Sequence, residues 1–197
     1  GQPAYDAKLA ALFAGWRRQF GPQARMLVVQ LADFGERRST PAESGWAQLR
    51  DDQRKGVIAD ANAALVTAID IGEPTDIHPA NKNDLGKRLA AAFDGRAMPM
   101  PDKAVREGGQ ITVSFTGIAG TLTVQSGPYP LGLELCGAAA GSCRFVLAEA
   151  EGNRLALPIP DGMMPTRVRY AWADAPVVNL VDGEGMPVPG FELAIGD

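Results

Sequence analysis

Met26-Leu27-Val28-Val29-Gln30-Leu31-Ala32 is the stretch on which the fold turns. It is nearly all apolar and carries two β-branched valines. Such a short run reads as a strand covered on both faces, as in parallel sheets flanked by helices. Ala64–Ile71 repeats the pattern. The segments around these two have a helical period. Between Ala4 and Phe20, residues Leu9, Leu12, Phe13, Trp16 and Phe20 fall at helical spacing, and Gly21-Pro22 stops the helix. A second helix is predicted over Trp46–Asn62, with Trp46, Leu49 and Val57 inward. A third is predicted over Asn81–Asp94, with Leu85, Leu89 and Phe93 four apart and Gly95 as its stop. Helix, strand, helix, strand, helix implies an α/β arrangement of parallel strands joined by a right-handed crossover.

The character of the chain then changes. Residues 1–100 hold 13 Lys/Arg and 12 Asp/Glu; residues 101–197 hold 6 and 11, with 9 of the 15 prolines. The extended Met98-Pro99-Met100-Pro101 stretch suits a boundary between an α/β part, 1–98, and a β part, 103–197. In the second part Ile111, Val113 and Phe115 alternate with polar residues. Short strand candidates recur at Thr121–Val124, Leu133–Cys136, Phe145–Glu149, Arg154–Leu157, Arg167–Tyr170 and Val177–Leu180. Turns rich in Gly and Pro separate them, which predicts an all-β, antiparallel, sandwich-like domain.

The charge sum is −4, so the chain has no electrostatic reason to hold a polyanion; nucleic acid and anionic membrane surfaces are not expected partners. No run of about 18 apolar residues is present to span a bilayer.

The chemistry concentrates at one place. The sole histidine, His78, lies in Gly72-Glu73-Pro74-Thr75-Asp76-Ile77-His78-Pro79, just after the second buried run. Loops beyond the carboxyl ends of parallel strands are where such sheets bind ligands. An imidazole there can take and return a proton, and a nearby carboxylate, Asp76, can hold its tautomer. The alternative is a hydrogen-bonded surface pair. Ser39, Ser44, Ser114, Ser126 and Ser142 include no Gly-x-Ser-x-Gly elbow, and Ser44 stands where a helix N-cap belongs. One His and two Cys do not make a zinc pattern, and no cofactor is expected. Trp46, Arg50 and Gln53 share a helix face, read as core packing by Trp46 and solvation of the other two; Lys82 and Arg88 read as solvated charges. Arg169, Tyr170 and Trp172 are core residues on this reading, with a sugar-stacking platform as the alternative.

Several segments together resemble a known family. They are Gln30-Leu31-Ala32, Trp46-Ala47-Gln48-Leu49-Arg50-Asp51-Asp52-Gln53, Asp70-Ile71-Gly72, Asp76-Ile77-His78-Pro79 with Asn81-Lys82, and Arg167-Val168-Arg169-Tyr170-Ala171-Trp172-Ala173-Asp174. They are similar to the sialate O-acetylesterases, carbohydrate esterases of the SGNH-hydrolase superfamily. The cysteine-bearing variety looks like bacterial members that deacetylate xyloglucan. The resemblance implies the C-terminal half of an SGNH-type parallel sheet followed by the β domain, with His78 as general base and an acetylated carbohydrate as substrate. It implies that the serine nucleophile lies in an upstream N-terminal catalytic segment, so that this chain alone is inactive. Many SGNH hydrolases place an Asp three residues before the His; that position is Thr75 here. Either Asp76 or a backbone carbonyl is then left to orient His78. A non-catalytic carbohydrate-binding or scaffolding module is the alternative function.

Cys136 and Cys143 flank Gly137–Ser142, with strand patterns on both sides. A disulfide there would close a hairpin and fit a periplasmic or secreted protein, two free thiols being the alternative. Intact mass before and after reduction is expected to differ by two hydrogens; two free thiols under non-reducing conditions would exclude the bond.

Overall fold

A computed structural model describes residues 5–196. The elements run in the order α1 (Tyr5–Phe20), β1 (Met26–Gln30), α2 (Gly45–Ile58), β2 (Ala63–Thr67), α3 (Lys82–Phe93), β3 (Met100–Glu107), β4 (Gln110–Thr116) and β5 (Thr123–Val124). These are followed by β6 (Leu133–Cys136), β7 (Arg144–Phe145), β8 (Glu149–Glu151), β9 (Arg154–Pro158), β10 (Arg167–Tyr170), β11 (Leu180–Val181) and β12 (Phe191–Gly196).

The first part follows its predicted order, and Ala4 lies outside the described residues. β1 and β2 pair in parallel, from Met26 opposite Ala63 to Gln30 opposite Thr67. Gly21 has a φ of +108° where α1 ends, and its N–H closes on the Arg17 carbonyl. Ser44 caps α2 by accepting from the Ala47 N–H at 2.9 Å. α2 stops at Ile58, short of the predicted Asn62. Arg17 holds the Asp60 carboxylate, which also accepts from the Asn62 N–H, and this fixes a turn. β2 runs into Ala68 and Ile69, with Leu65 to Ile69 all buried. β1 departs from expectation: Leu27, Val28 and Val29 are only half-buried, because among the described residues β1 pairs on one side alone. The α1 stripe is likewise half covered. Leu9 and Phe13 pack on Met26, whereas Leu12, Trp16 and Phe20 face outward.

The second part differs more. In place of a two-sheet sandwich there is one eight-stranded sheet, ordered β7-β6-β10-β12-β3-β4-β9-β8, with β5 and β11 as a separate pair. All pairings in the large sheet are antiparallel except β12 with β3. Neither β3 nor β12 was expected. β3 begins inside the Pro-rich stretch, and Pro101 is accommodated by a register shift between Pro101 and Lys103. The run Phe145–Glu149 is not one strand: β7 and β8 lie at opposite ends of the sheet. Laid flat, eight strands would span about 34 Å. Leu133, Leu135 and Val168 near one end share a single core with Val113, Leu155 and Leu157 near the other, so the sheet curls around that core. Ile69, just beyond β2, reaches the same core.

Polar side chains join the two parts. Gln30 donates to the carbonyls of Arg50 and Gly190 and accepts from the Gly190 N–H and the Thr67 hydroxyl. Arg50, 0% exposed, donates to the carbonyls of Leu31, Ala171, Ala173 and Asp174 at 2.6–3.3 Å. Gln53 bonds Leu31 and Val29. The expectation that Arg50 and Gln53 are solvated is therefore corrected: an inward-facing polar residue is stable wherever backbone groups converge to meet it. Arg88 is corrected likewise, as it donates to the Thr67 carbonyl and both oxygens of Asp70. Arg50→Met is expected to cost about 3 kcal/mol or more, because it orphans buried carbonyls. A loss below about 1 kcal/mol in chemical denaturation would remove Arg50 from this role.

Candidate active site

The candidate site is built on the carboxyl ends of β1 and β2. The loop after β1 passes Asp33, Phe34 and Gly35; the loop after β2 passes Asp70 to Asn81. Asp70 is fixed by its two-point contact with Arg88. Gly72 packs against Asp33 so closely that an added Cβ would lie 2.1 Å from the Asp33 carboxylate, so no side chain fits. The Gly35 N–H donates to the Pro74 carbonyl at 2.9 Å, tying the two loops together. Asp33 is buried, and that burial raises its carboxyl above the usual carboxylate range.

Beyond Pro74 the chain makes a tight turn, with the Asp76 N–H donating to the Glu73 carbonyl. The Asp76 carboxylate then accepts from the backbone N–H of His78 at 2.8 Å. This local bond, of the Asx-turn kind, holds the Asp76 carboxylate against the His78 backbone. The His78 Nδ1 lies 3.8 Å from the Asp76 oxygen, beyond hydrogen-bond length. The two side chains are 88% and 57% exposed, so the imidazole is open to solvent. Glu73 accepts from the Ala80 N–H, and Asn81 caps α3, which closes the loop behind His78.

Among the described residues no serine hydroxyl bonds His78. Ser44 donates to Asp174, Ser114 to Asp102 and Ser142 to the Ala139 carbonyl. The site as described thus holds a proton carrier and an acid but no nucleophile poised against them.

Asp174 brings the β part to this edge. Its carbonyl accepts from the Phe34 N–H and from Arg50, and its carboxylate accepts from Ser44. Sequence reasoning missed Asp174 and Asp33, because nothing local marks a carboxylate whose partners lie far off in the chain. Ala171, which carries one of the carbonyls that Arg50 binds, has a φ of +56°, a left-handed geometry uncommon outside glycine.

On the far side of the Asp33–Ser44 loop is a cavity of about 350 Å³, bordered by Arg37, Leu131, Glu134, Phe145 and Trp172. The sugar-stacking alternative fails here: Trp172 is buried and the Arg169 guanidinium lies over its ring at 4.4 Å. Tyr170 packs on Phe191 in the core. Glu134, Arg169 and Glu192 stand opposite one another on β6, β10 and β12. Arg169 gives its bonds to Glu192 and Glu43, holding Glu43 below the usual range. Glu134 is left buried with its Oε2 unpartnered. Burial, reinforced by Glu43 and Glu192 against the pull of Arg169, pushes Glu134 up to about 7.

No known family model matches the chain, and no curated protein matches it. Among solved structures, a carbohydrate acetylesterase from Xanthomonas citri superposes with a TM-score of 0.84 at 32% identity, over 98% of this chain and 46% of that one. The chain spans about half the length of that enzyme, and the likeness supports a relationship to carbohydrate esterases. Domains 1–6 of the surface-layer protein SbsC align over 98% of this chain and 22% of theirs, at 11% identity and a TM-score of 0.38, too low to bear on the fold.

Glu134 makes stability depend on pH. Its carboxyl rises from 4.5 to about 7 on folding, so the folded state holds a proton that the unfolded chain releases. The Glu134 contribution to stability is expected to be full below pH 4.5, to fall as pH rises toward 7, and to level off above it. Glu134→Gln is expected to flatten that slope and to be about 2–3 kcal/mol more stable than wild type at pH 8. Parallel denaturation curves at acidic and alkaline pH check this; an unchanged slope in the variant would exclude Glu134 as its source.

Proposed function

We propose that this chain is the histidine-bearing part of a carbohydrate O-acetylesterase of the sialate O-acetylesterase, SGNH-hydrolase type. The observation that carries the reading is the likeness to the Xanthomonas citri carbohydrate acetylesterase, which extends over nearly the whole chain. The position of His78, solvent-open beyond the carboxyl end of a parallel strand, agrees with it. Residues 1–98 then belong to the catalytic α/β domain and residues 103–197 form its β domain. The serine comes from a segment outside these 197 residues. In support of this reading, β1 has one unpaired edge among the described residues, and Leu12, Trp16 and Phe20 of α1 are exposed. The Cys136–Cys143 disulfide suits a periplasmic or secreted enzyme.

In this reaction the serine Oγ attacks the acetyl carbonyl carbon of an O-acetylated sugar, sialate or hemicellulose, while His78 takes the hydroxyl proton. The tetrahedral intermediate expels the sugar oxygen, and His78 returns the proton to it. A water then attacks the acetyl-serine, His78 again serving as base, and acetate leaves. Asp76 lies 3.8 Å from the ring Nδ1, beyond hydrogen-bond length. No cofactor is required.

In the complete enzyme His78→Ala is expected to lower the rate of acetate release by at least about 10²-fold while leaving circular dichroism unchanged. Asp76→Asn is expected to cost less, since no hydrogen bond joins it to the ring. A folded His78→Ala variant keeping more than about a tenth of the wild-type rate would sink the assignment.

A further inference from the structure

Glu134 and Cys136 are two residues apart on β6, so their side chains share one face of the strand. Cys143 returns to that face across the hairpin and closes the disulfide with Cys136. A carboxylate oxygen of Glu134 and the two sulfur atoms lie within 4.8 Å of one another. Oε2 of Glu134 is buried and has no partner. The Arg169 Nη1 is 3.4 Å from the Cys143 sulfur. We propose that Glu134, Cys136 and Cys143 form a site for a thiophilic divalent cation, such as Zn²⁺, that is created when the disulfide is reduced.

The ligand chemistry is that of a two-thiolate, one-carboxylate zinc site with one position left for water. Bonds of about 2.3 Å to sulfur and 2.0–2.2 Å to oxygen place tetrahedral ligand atoms about 3.5–3.8 Å apart, within reach once the sulfurs separate. Reduction by an external dithiol breaks the S–S bond. The sulfurs take up two electrons and two protons, and the dithiol becomes a disulfide. Metal binding then releases both thiol protons, and a third if Glu134 holds one. Two thiolates and a carboxylate against a divalent ion leave one net negative charge, beside an Arg169 guanidinium that is also shared by Glu43 and Glu192. Glu134 also borders the 350 Å³ cavity, a route by which the ion can enter. Disulfide and metal exclude each other, so the ion protects the thiols from oxidation.

The test is a titration of reduced, reductant-free protein with Co²⁺ under anaerobic conditions, with circular dichroism to report folding. One Co²⁺ per chain with thiolate-to-cobalt charge-transfer absorption is expected, and none in the oxidised protein. Glu134→Gln, which keeps both cysteines, is expected to weaken binding by at least about tenfold. Zn²⁺ is expected to slow re-formation of the disulfide in air. The proposal is overturned if the reduced protein shows no charge-transfer absorption, if Glu134→Gln binds Co²⁺ as wild type does, or if the reduced protein is unfolded and Co²⁺ does not restore it.

Discussion

The buried Arg50 guanidinium holds this molecule in one piece. A charge with no exposed surface is costly unless every donor is met, and here four backbone carbonyls from both parts of the chain meet it. Burial pulls it down only to about 10, with Asp33 and Asp174 resisting the fall, so it stays charged at neutral pH. Gln30 does the same work one strand away, spending donors and acceptor on Arg50, Thr67 and Gly190. Such contacts are directional. They fix the angle between the α/β part and the curled sheet in a way that apolar packing of Ile69 alone would not.

That fixed angle matters at the strand ends. Asp174 reaches from the β part to Phe34, Ser44 and Arg50, and Gly35 passes the constraint on to the loop of His78. The exposed histidine is thus carried by a loop whose base is tied at Gly72 and Pro74, with the imidazole itself free to meet another group.

Much of the first part was legible in the sequence because its signals are local. Gly21, Ser44 and Asn81 end or begin helices through bonds to residues three or four away. The parallel pairing followed from two apolar runs separated by a helical period. In the second part, Leu133–Cys136 and Arg167–Tyr170 came out with their observed limits. β3 and β12 did not, since Pro101 masks one and the alternation of Phe191-Glu192-Leu193-Ala194 is too weak to reveal the other. Of the site, His78 and Asp76 were legible as chemistry, and their separation was not. Arg50, Gln53 and Arg88 were misjudged for one reason: each meets partners supplied by distant backbone.

The position of β12 has a consequence for how the chain reaches its native state. Strands β7, β6 and β10 form one ribbon and β3, β4, β9 and β8 another; only β12 bridges them. The same segment supplies Gly190 to Gln30, 160 residues earlier, and Glu192 to Asp51. Closing loops of that length costs entropy before any contact repays it, so assembly waits on a late, topologically demanding event. Until β12 inserts, two ribbon edges stay open at the centre of the future sheet, and a nascent chain passes through a stage prone to sticking to its neighbours.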